Sequence, residues 1–189
     1  METILSAFLL VALSEMGDKT QLLAFSLATR FRRPWVVMAG ILSATILNHA
    51  LASSVGSWVA SQVSHTLMAA VLAVTFLAFG LWTLKPDTLT DQPKAARFGP
   101  FLTTTVLFFL AEMGDKTQLA TVALAAKFHA ALQVTIGTTL GMLTTDGLAV
   151  FVGERLAGAV SMLWIRRIAA GLFFFFGLLS LWTIWRGNV

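Results

Sequence analysis

Long apolar blocks alternate along the chain with short polar joints, and six of the blocks are long enough to cross a bilayer. A crossing helix needs about 20 mostly apolar residues. Segments 3–29, 34–60, 66–84, 100–126, 130–152 and 164–185 meet that length. The pattern predicts an all-α integral membrane protein with six transmembrane helices. Pro34 and Pro100 open the second and fourth segments, a first-turn position where a missing N–H breaks no helical hydrogen bond. The long polar stretch over 85–99, with Pro86, Asp87, Asp91, Pro93, Lys94 and Arg97, reads as a linker with no fold of its own. A shorter connection over 154–163 has room for one short helix.

The blocks repeat. Shifting the chain by 97 residues lays Glu15–Leu22 on Glu112–Leu119 without a mismatch, as Glu-Met-Gly-Asp-Lys-Thr-Gln-Leu on itself. In the same register Leu13 meets Leu110, Ala28 meets Ala125, Phe31 meets Phe128 and Gly40 meets Gly137. Further on, Leu51 and Ala52 meet Leu148 and Ala149, Gly56 meets Gly153, and Gly80 and Leu81 meet Gly177 and Leu178. The expected organisation is therefore a first repeat over 1–84, a cytoplasmic linker over 85–99 and a second repeat over 100–189, each repeat with three spans. Three is odd, so the second copy must enter the membrane from the opposite face. Inverted repeats of this kind are common in secondary transporters, with the substrate site near the midplane where the repeats meet.

Composition agrees with a lipid-embedded chain: 57% of the 189 residues are apolar and 12% charged, with a mean hydropathy of +0.82. Soluble domains carry about 25% charged residues. The absence of cysteine excludes a disulfide framework, a thiolate metal site and cysteine catalysis. The net charge of +4 does not point to nucleic acid, because the basic residues gather at the ends of apolar blocks. If the N-terminus faces outside, the inward loops hold nine of them, namely Arg30, Arg32, Arg33, Lys85, Lys94, Arg97, Arg155, Arg166 and Arg167. The outward ends hold only Lys127 and Arg186. By the positive-inside rule both termini face out. Trp35, Trp82 and Trp164 then fall near inner ends, and Trp58, Trp182 and Trp185 near outer ones, as an interfacial aromatic belt requires. The first block has no basic leader and is interrupted by Glu15, Asp18 and Lys19, so it is expected to stay in the mature protein rather than act as a signal peptide.

The repeated octapeptide carries the chemistry. Read on one helix, Glu15 and Asp18 lie on neighbouring rungs of one face, as do Glu112 and Asp115. A charge at that depth costs several kcal/mol unless it faces the bundle interior and finds partners. Two antiparallel copies related by a pseudo-two-fold axis can bring all four carboxylates to one point. The hydroxyls of Thr20 and Thr117 and the amide oxygens of Gln21 and Gln118 add to an all-oxygen set, which suits Mn²⁺, Ca²⁺ or Mg²⁺ better than Zn²⁺ or Cu²⁺. Four acids and the two lysines Lys19 and Lys116 sum to −4 + 2 = −2, which one divalent ion or two protons would neutralise. That balance is the logic of an exchanger. Carboxylates crowded together cannot all stay ionised, which makes one of them a candidate proton carrier. Lys19 and Lys116 act either as counterions or in gating, and the bland alternative is a pair of buried ion pairs, Glu15–Lys19 and Glu112–Lys116, that only fix helix packing.

Gly17 and Gly114, between the acids, either loosen the helix and free carbonyls or serve close packing. Asn48 and His49 sit mid-span in the second block, and Asp146 occupies the register position of His49 in the fifth. An intramembrane acid is a functional candidate by default, so these three residues form a candidate proton path, although a lone histidine is more often a packing residue. The Phe173–Phe176 run reads as lipid-facing or packing surface.

Two copies of Glu-x-Gly-Asp-Lys/Arg-Thr/Ser, one in the first span of each three-span half, resemble the family of Golgi cation/manganese transporters and their bacterial manganese-exporting relatives. The resemblance covers essentially the whole chain. It implies Mn²⁺ and Ca²⁺ transport in exchange for protons, with Glu15, Asp18, Glu112 and Asp115 as metal ligands followed by Lys19, Thr20, Lys116 and Thr117. The chain lacks the targeting extension and long acidic central loop of eukaryotic members, which favours a bacterial plasma membrane and Mn²⁺ export over a Golgi calcium role. The expected partners are the divalent ion, the proton and the bilayer, with no permanently bound cofactor and no nucleic acid, in a monomer or homodimer. A passive cation channel is the alternative. An intramembrane acid-dyad enzyme lacks a nucleophile, and an assembly subunit would not need the motif acids.

Overall fold

The described residues form eight α-helices: α1 (Glu2–Glu15), α2 (Lys19–Phe31), α3 (Pro34–Gln62), α4 (His65–Thr83), α5 (Pro100–Glu112), α6 (Lys116–Phe128), α7 (Ala131–Leu156) and α8 (Met162–Trp185). They come from a computed structural model that describes residues 1–85, 98–156 and 162–186. The linker residues Pro86, Asp87, Asp91, Pro93, Lys94 and Arg97, and the centre of the connection expected to hold a short helix, lie outside the described residues. Among the described residues four helices, α3, α4, α7 and α8, are long and apolar enough to cross a membrane. Pro34 and Pro100 stand in the first turns of α3 and α5, as their sequence positions predict.

The first block of each half departs from expectation. Segments 3–29 and 100–126 are not continuous helices: each is divided, α1 from α2 and α5 from α6. The cause is local. Gly17 has φ +81° and Gly114 φ +77°, a left-handed conformation that ends a right-handed helix and that only glycine adopts without strain. The next residue in each case, Asp18 or Asp115, is extended and becomes the N-cap of the following helix. Of the two readings of these glycines, loosening of the helix is the one realised. Glu15 and Asp18 therefore do not share a helical face: the first ends α1 and the second precedes α2.

The two halves pack as copies of each other. Gly40 on α3 sits where an added Cβ would lie 2.7 Å from Thr104 Cβ and 2.9 Å from Phe101 O on α5. Its register mate Gly137 on α7 has the same relation to α1, 2.9 Å from Ala7 Cβ and 2.5 Å from Ile4 O. Removing a side chain at these points lets the backbones of the broken helices approach α3 and α7. Gly80 on α4 faces Phe174, while Gly177 on α8 faces Leu77, the mate of Phe174. One apolar cluster joins Phe76 and Phe79 of α4 with Phe173 and Phe176 of α8 and Leu124 of α6. A second joins Leu27, Val37, Ile41 and Phe108 at α2, α3 and α5. Within the Phe173–Phe176 run, Phe173 and Phe176 are buried in the packing and Phe175 is exposed. Trp35, Trp58, Trp164 and Trp185 are all exposed near helix ends.

Gly137→Leu forces a branched side chain against the Ile4 carbonyl, whereas a Cβ at Gly171 meets nothing within 4 Å. Overpacking costs about 1–3 kcal/mol or more. Melting curves of the detergent-solubilised protein should show a clear loss for Gly137→Leu and little change for Gly171→Leu.

Candidate functional site at the paired helix breaks

The two breaks bring the repeated octapeptides together. Glu15 and Glu112 are the last residues of α1 and α5, while Lys19 and Lys116 are the first of α2 and α6. Each break is held by its own glutamine: Gly17 N donates to Gln21 Oε1 at 2.8 Å, and Gly114 N to Gln118 Oε1 at 2.7 Å. The amide oxygens read from sequence as additional ligands are engaged in this arrangement by the backbone of the break. Gln21 Nε2 also reaches across to donate to Thr145 O at 3.0 Å, tying the first break to α7.

The charges pair across the halves. Lys19 Nζ lies 3.0 Å from Asp115 Oδ2, and Lys116 Nζ lies 3.1 Å from Asp18 Oδ1. The local Glu15–Lys19 and Glu112–Lys116 pairs of the packing reading are not the ones formed. The break is the reason, because it removes the i,i+4 geometry that such pairs need. The two crossed pairs differ in exposure: the Lys116 side chain is 5% exposed and that of Lys19 28%. Asp115 also accepts a hydrogen bond from Lys116 N at 2.7 Å.

The two glutamates are treated unequally although their sequences match. Thr20 Oγ1 donates to Glu15 Oε2 at 2.7 Å, and Thr117 Oγ1, from the other half, donates to Glu15 Oε1. Glu112 is 1% exposed, and neither of its carboxylate oxygens has a hydrogen-bond partner among the described residues. It stands within electrostatic range of Glu15, Asp115, Asp146 and Asp18. Asp146, on α7, is equally buried, with both oxygens likewise without a hydrogen-bond partner, and Glu15 acts on it through space. Asn48 Nδ2 donates to Phe109 O at 3.2 Å, at the end of α5, while its Oδ1 is buried with no partner. His49 Nδ1 lies 3.5 Å from Thr139 Oγ1, and its Nε2 has no partner. Thr139 carries no sequence signal of its own, being one of several threonines in α7.

The motif acids thus gather around one point between the halves, but not as a ready cage. Among the described residues, no three acids or histidines are disposed to hold a metal ion together. The four carboxylates read as one site stand here as two lysine-paired aspartates, one hydrogen-bonded glutamate and one glutamate without a hydrogen-bond partner among the described residues. The lysine charges account for this, since an aspartate buried at this depth requires a cation beside it.

Comparison with known proteins follows the same duplication. A family model described as "Divalent cation/proton antiporter GDT1" matches the chain twice, over residues 3–91 and 100–188. The chain belongs to the GDT1 family. A Vibrio cholerae protein provisionally named a manganese exporter is 45% identical over 164 residues, covering 86% of this chain and 82% of that relative. A GDT1-like protein of Synechocystis is 32% identical over 203 residues, covering 94% of this chain and 96% of its own length. GDT1-like protein 3 of Arabidopsis thaliana is 30% identical over 209 residues, covering 95% and 70%. No solved structure matches. As a GDT1 member the chain is a multi-pass membrane protein that exchanges divalent cations for protons, a transporter and not an enzyme. The resemblance read from the doubled motif holds, and the family model matches the chain twice, as an internal repeat requires.

Removing one member of a buried ion pair costs about 3–5 kcal/mol. Lys116→Gln should therefore destabilise the protein markedly, and Lys19→Gln less, because Lys19 is partly exposed. Adding Asp18→Asn to Lys116→Gln should recover much of the loss in a melting experiment. No recovery would mean that the Asp18–Lys116 pair is not what Lys116 stabilises.

Proposed function

We propose that this antiporter exports Mn²⁺ from the cytoplasm in exchange for protons, with the paired helix breaks as its transport site. The observation that carries the reading is the crossed pairing of Lys19 with Asp115 and Lys116 with Asp18 beside two buried glutamates. A divalent cation that takes the aspartates as oxygen ligands has to displace the ammonium groups, so the lysines are both counterions and gates. Glu15, Asp18, Glu112 and Asp115 are the metal ligands of this reading, with Thr20, Thr117, Gln21 and Gln118 as the additional oxygens near them. The all-oxygen donors favour Mn²⁺ or Ca²⁺ over softer ions, and the name of the Vibrio cholerae relative supports Mn²⁺.

The spans are six, as two inverted three-helix repeats. At about 1.5 Å per residue, α1 with 14 residues and α2 with 13 reach about 21 and 20 Å, short of the roughly 30 Å hydrocarbon core. Each broken pair, α1 with α2 and α5 with α6, crosses as one discontinuous span whose break lies at the midplane. That is where half-helix ends meet ions in transporters. The count of nine basic residues against two supports both termini on the outer face of a bacterial plasma membrane, with the linker over 85–99 in the cytoplasm.

The unequal glutamates supply the alternation. In this arrangement Glu15 takes both threonines and Lys19 is the more exposed lysine. Because the motifs are identical, the converse arrangement, in which Glu112 takes both threonines and Lys116 is the exposed lysine, uses the same set of motif groups. Exchange of these roles between the halves moves the site's opening from one face to the other. Asp146 on α7, with Asn48 and His49 on α3, is the proton path of this proposal, supported by the burial of the Asp146 carboxyl and its electrostatic coupling to Glu15.

Proteoliposomes loaded with a metal-sensitive dye test this directly. Mn²⁺ uptake should saturate and should rise when a pH gradient is imposed, and Asp18→Asn should lower it at least tenfold. Asp146→Asn should keep metal binding but weaken the dependence on the pH gradient. Absence of divalent flux, or Asp18→Asn transporting like the unmodified protein, would overturn the site. Flux that does not saturate and ignores the pH gradient would favour a channel.

A further inference from the structure

Away from the helix breaks, a cavity of about 410 Å³ opens where α4 begins and α6 and α8 end. Its volume lies within the roughly 300–1,000 Å³ range of small-ligand sites. The polar side chains on its wall are His65, Lys127, His129, Ser180 and Thr183, and none of its lining residues is acidic. Lys127 is the centre of the chemistry. It is partly buried, its ammonium lies 3.5 Å from Ser180 Oγ and 5.6 Å from the Phe176 ring, and no carboxylate of a described residue pairs with it. A partly buried cation whose neighbours among the described residues are a hydroxyl and a ring is poorly compensated. The His65 and His129 rings stand edge to face 6.2 Å apart on the same wall and add donors. Ser180 and Thr183 donate to carbonyls of their own helix, Phe176 O at 2.9 Å and Ser180 O at 2.7 Å, so recognition rests on the ammonium and the imidazoles.

We propose that this cavity binds a phosphate group, presented by the headgroup of an anionic lipid. Its position supplies the source. It lies at one end of the helix bundle, level with the exposed Trp182 and Trp185 at the end of α8, where Arg186 also stacks 4.6 Å from the Trp182 ring. Tryptophans of this kind mark the headgroup level of a bilayer. Two imidazoles and the Met68 thioether would otherwise suit a soft metal ion, but the Lys127 ammonium among them repels a cation and attracts an anion. Free phosphate shares the recognised chemistry, so the test separates the two sources. The site is independent of the transport reading, because none of its residues belongs to the paired breaks.

Native mass spectrometry of the detergent-purified protein, titrated with phosphatidylglycerol or phosphatidylcholine, reads the binding. Phosphatidylglycerol adducts should exceed phosphatidylcholine adducts several-fold. Lys127→Gln should abolish that preference and Lys127→Arg should keep it, while both variants carry out Mn²⁺ uptake like the unmodified protein and so are folded. A melting-temperature rise with millimolar inorganic phosphate that Lys127→Gln loses would support the phosphate site and assign it to the free anion. Equal adducts of the two lipids together with no response to phosphate would overturn the proposal. So would a stabilisation by Ni²⁺ that His129→Asn removes, with no response to either anion.

Discussion

Six ionisable side chains, Glu15, Asp18, Lys19, Glu112, Asp115 and Lys116, have to be accommodated in the interior of an apolar bundle, and this constraint organises the rest of the molecule. A charge in that setting is tolerated only beside an opposite one. Neither half supplies the pairing alone. The aspartate of each break takes its lysine from the other break, at 3.0 and 3.1 Å. The glycines on α3 and α7 follow from this requirement. Gly40 and Gly137 admit the backbones of α5 and α1, the helices that lead into the two breaks, at close approach. The packing of the apolar helices and the electrostatics of the motif are one problem with one solution.

Most of the architecture is legible in the sequence because its causes are local or periodic. Block length sets the long helices, the proline positions mark the starts of α3 and α5, and the 97-residue register anticipates which contacts recur, including the mated pairs Gly40 with Thr104 and Gly137 with Ala7. The motif acids are legible as well, since charge in an apolar block needs a reason. What the sequence leaves open is the form of the break. A glycine in a helical pattern is compatible with both a close contact and a left-handed turn, and the choice depends on the Gln21 and Gln118 side chains capping Gly17 and Gly114 from four residues on. Once the helix breaks, pairings inferred from helical spacing no longer apply. The Glu–Lys pairs at i,i+4 give way to Lys–Asp pairs between residues 96 and 98 positions apart (115 − 19 and 116 − 18).

The phosphate-type cavity was not legible for a different reason. Lys127 stands at a helix end, where a lysine is ordinarily a topology signal, and His65 and His129 are isolated in sequence. Only the approach of α4, α6 and α8 puts them on one wall. The same residue thus enters the charge balance of the loops and the chemistry of a cavity, and composition cannot separate these roles.

Symmetry explains what the two halves share, and the departures from it explain why two arrangements of this site need not be equal in energy. A site built from two identical octapeptides would have identical inward and outward forms. The register mates that differ remove that degeneracy. Thr45 and Met142 are mates and meet each other, hydroxyl to sulfur at 3.3 Å, so they lie on the pseudo-symmetry axis itself. His49 and Asp146 are mates that flank it, one an imidazole beside Thr139 and the other a buried carboxyl within reach of the Glu15 field. Exchanging the roles of the halves would bring Glu15 to the condition of Glu112, but it would set that glutamate in different surroundings, because the residue standing in the place of Asp146 would be a histidine. The motif can therefore repeat without error while the two half-cycles of exchange differ in free energy, and the difference resides in residues outside the motif.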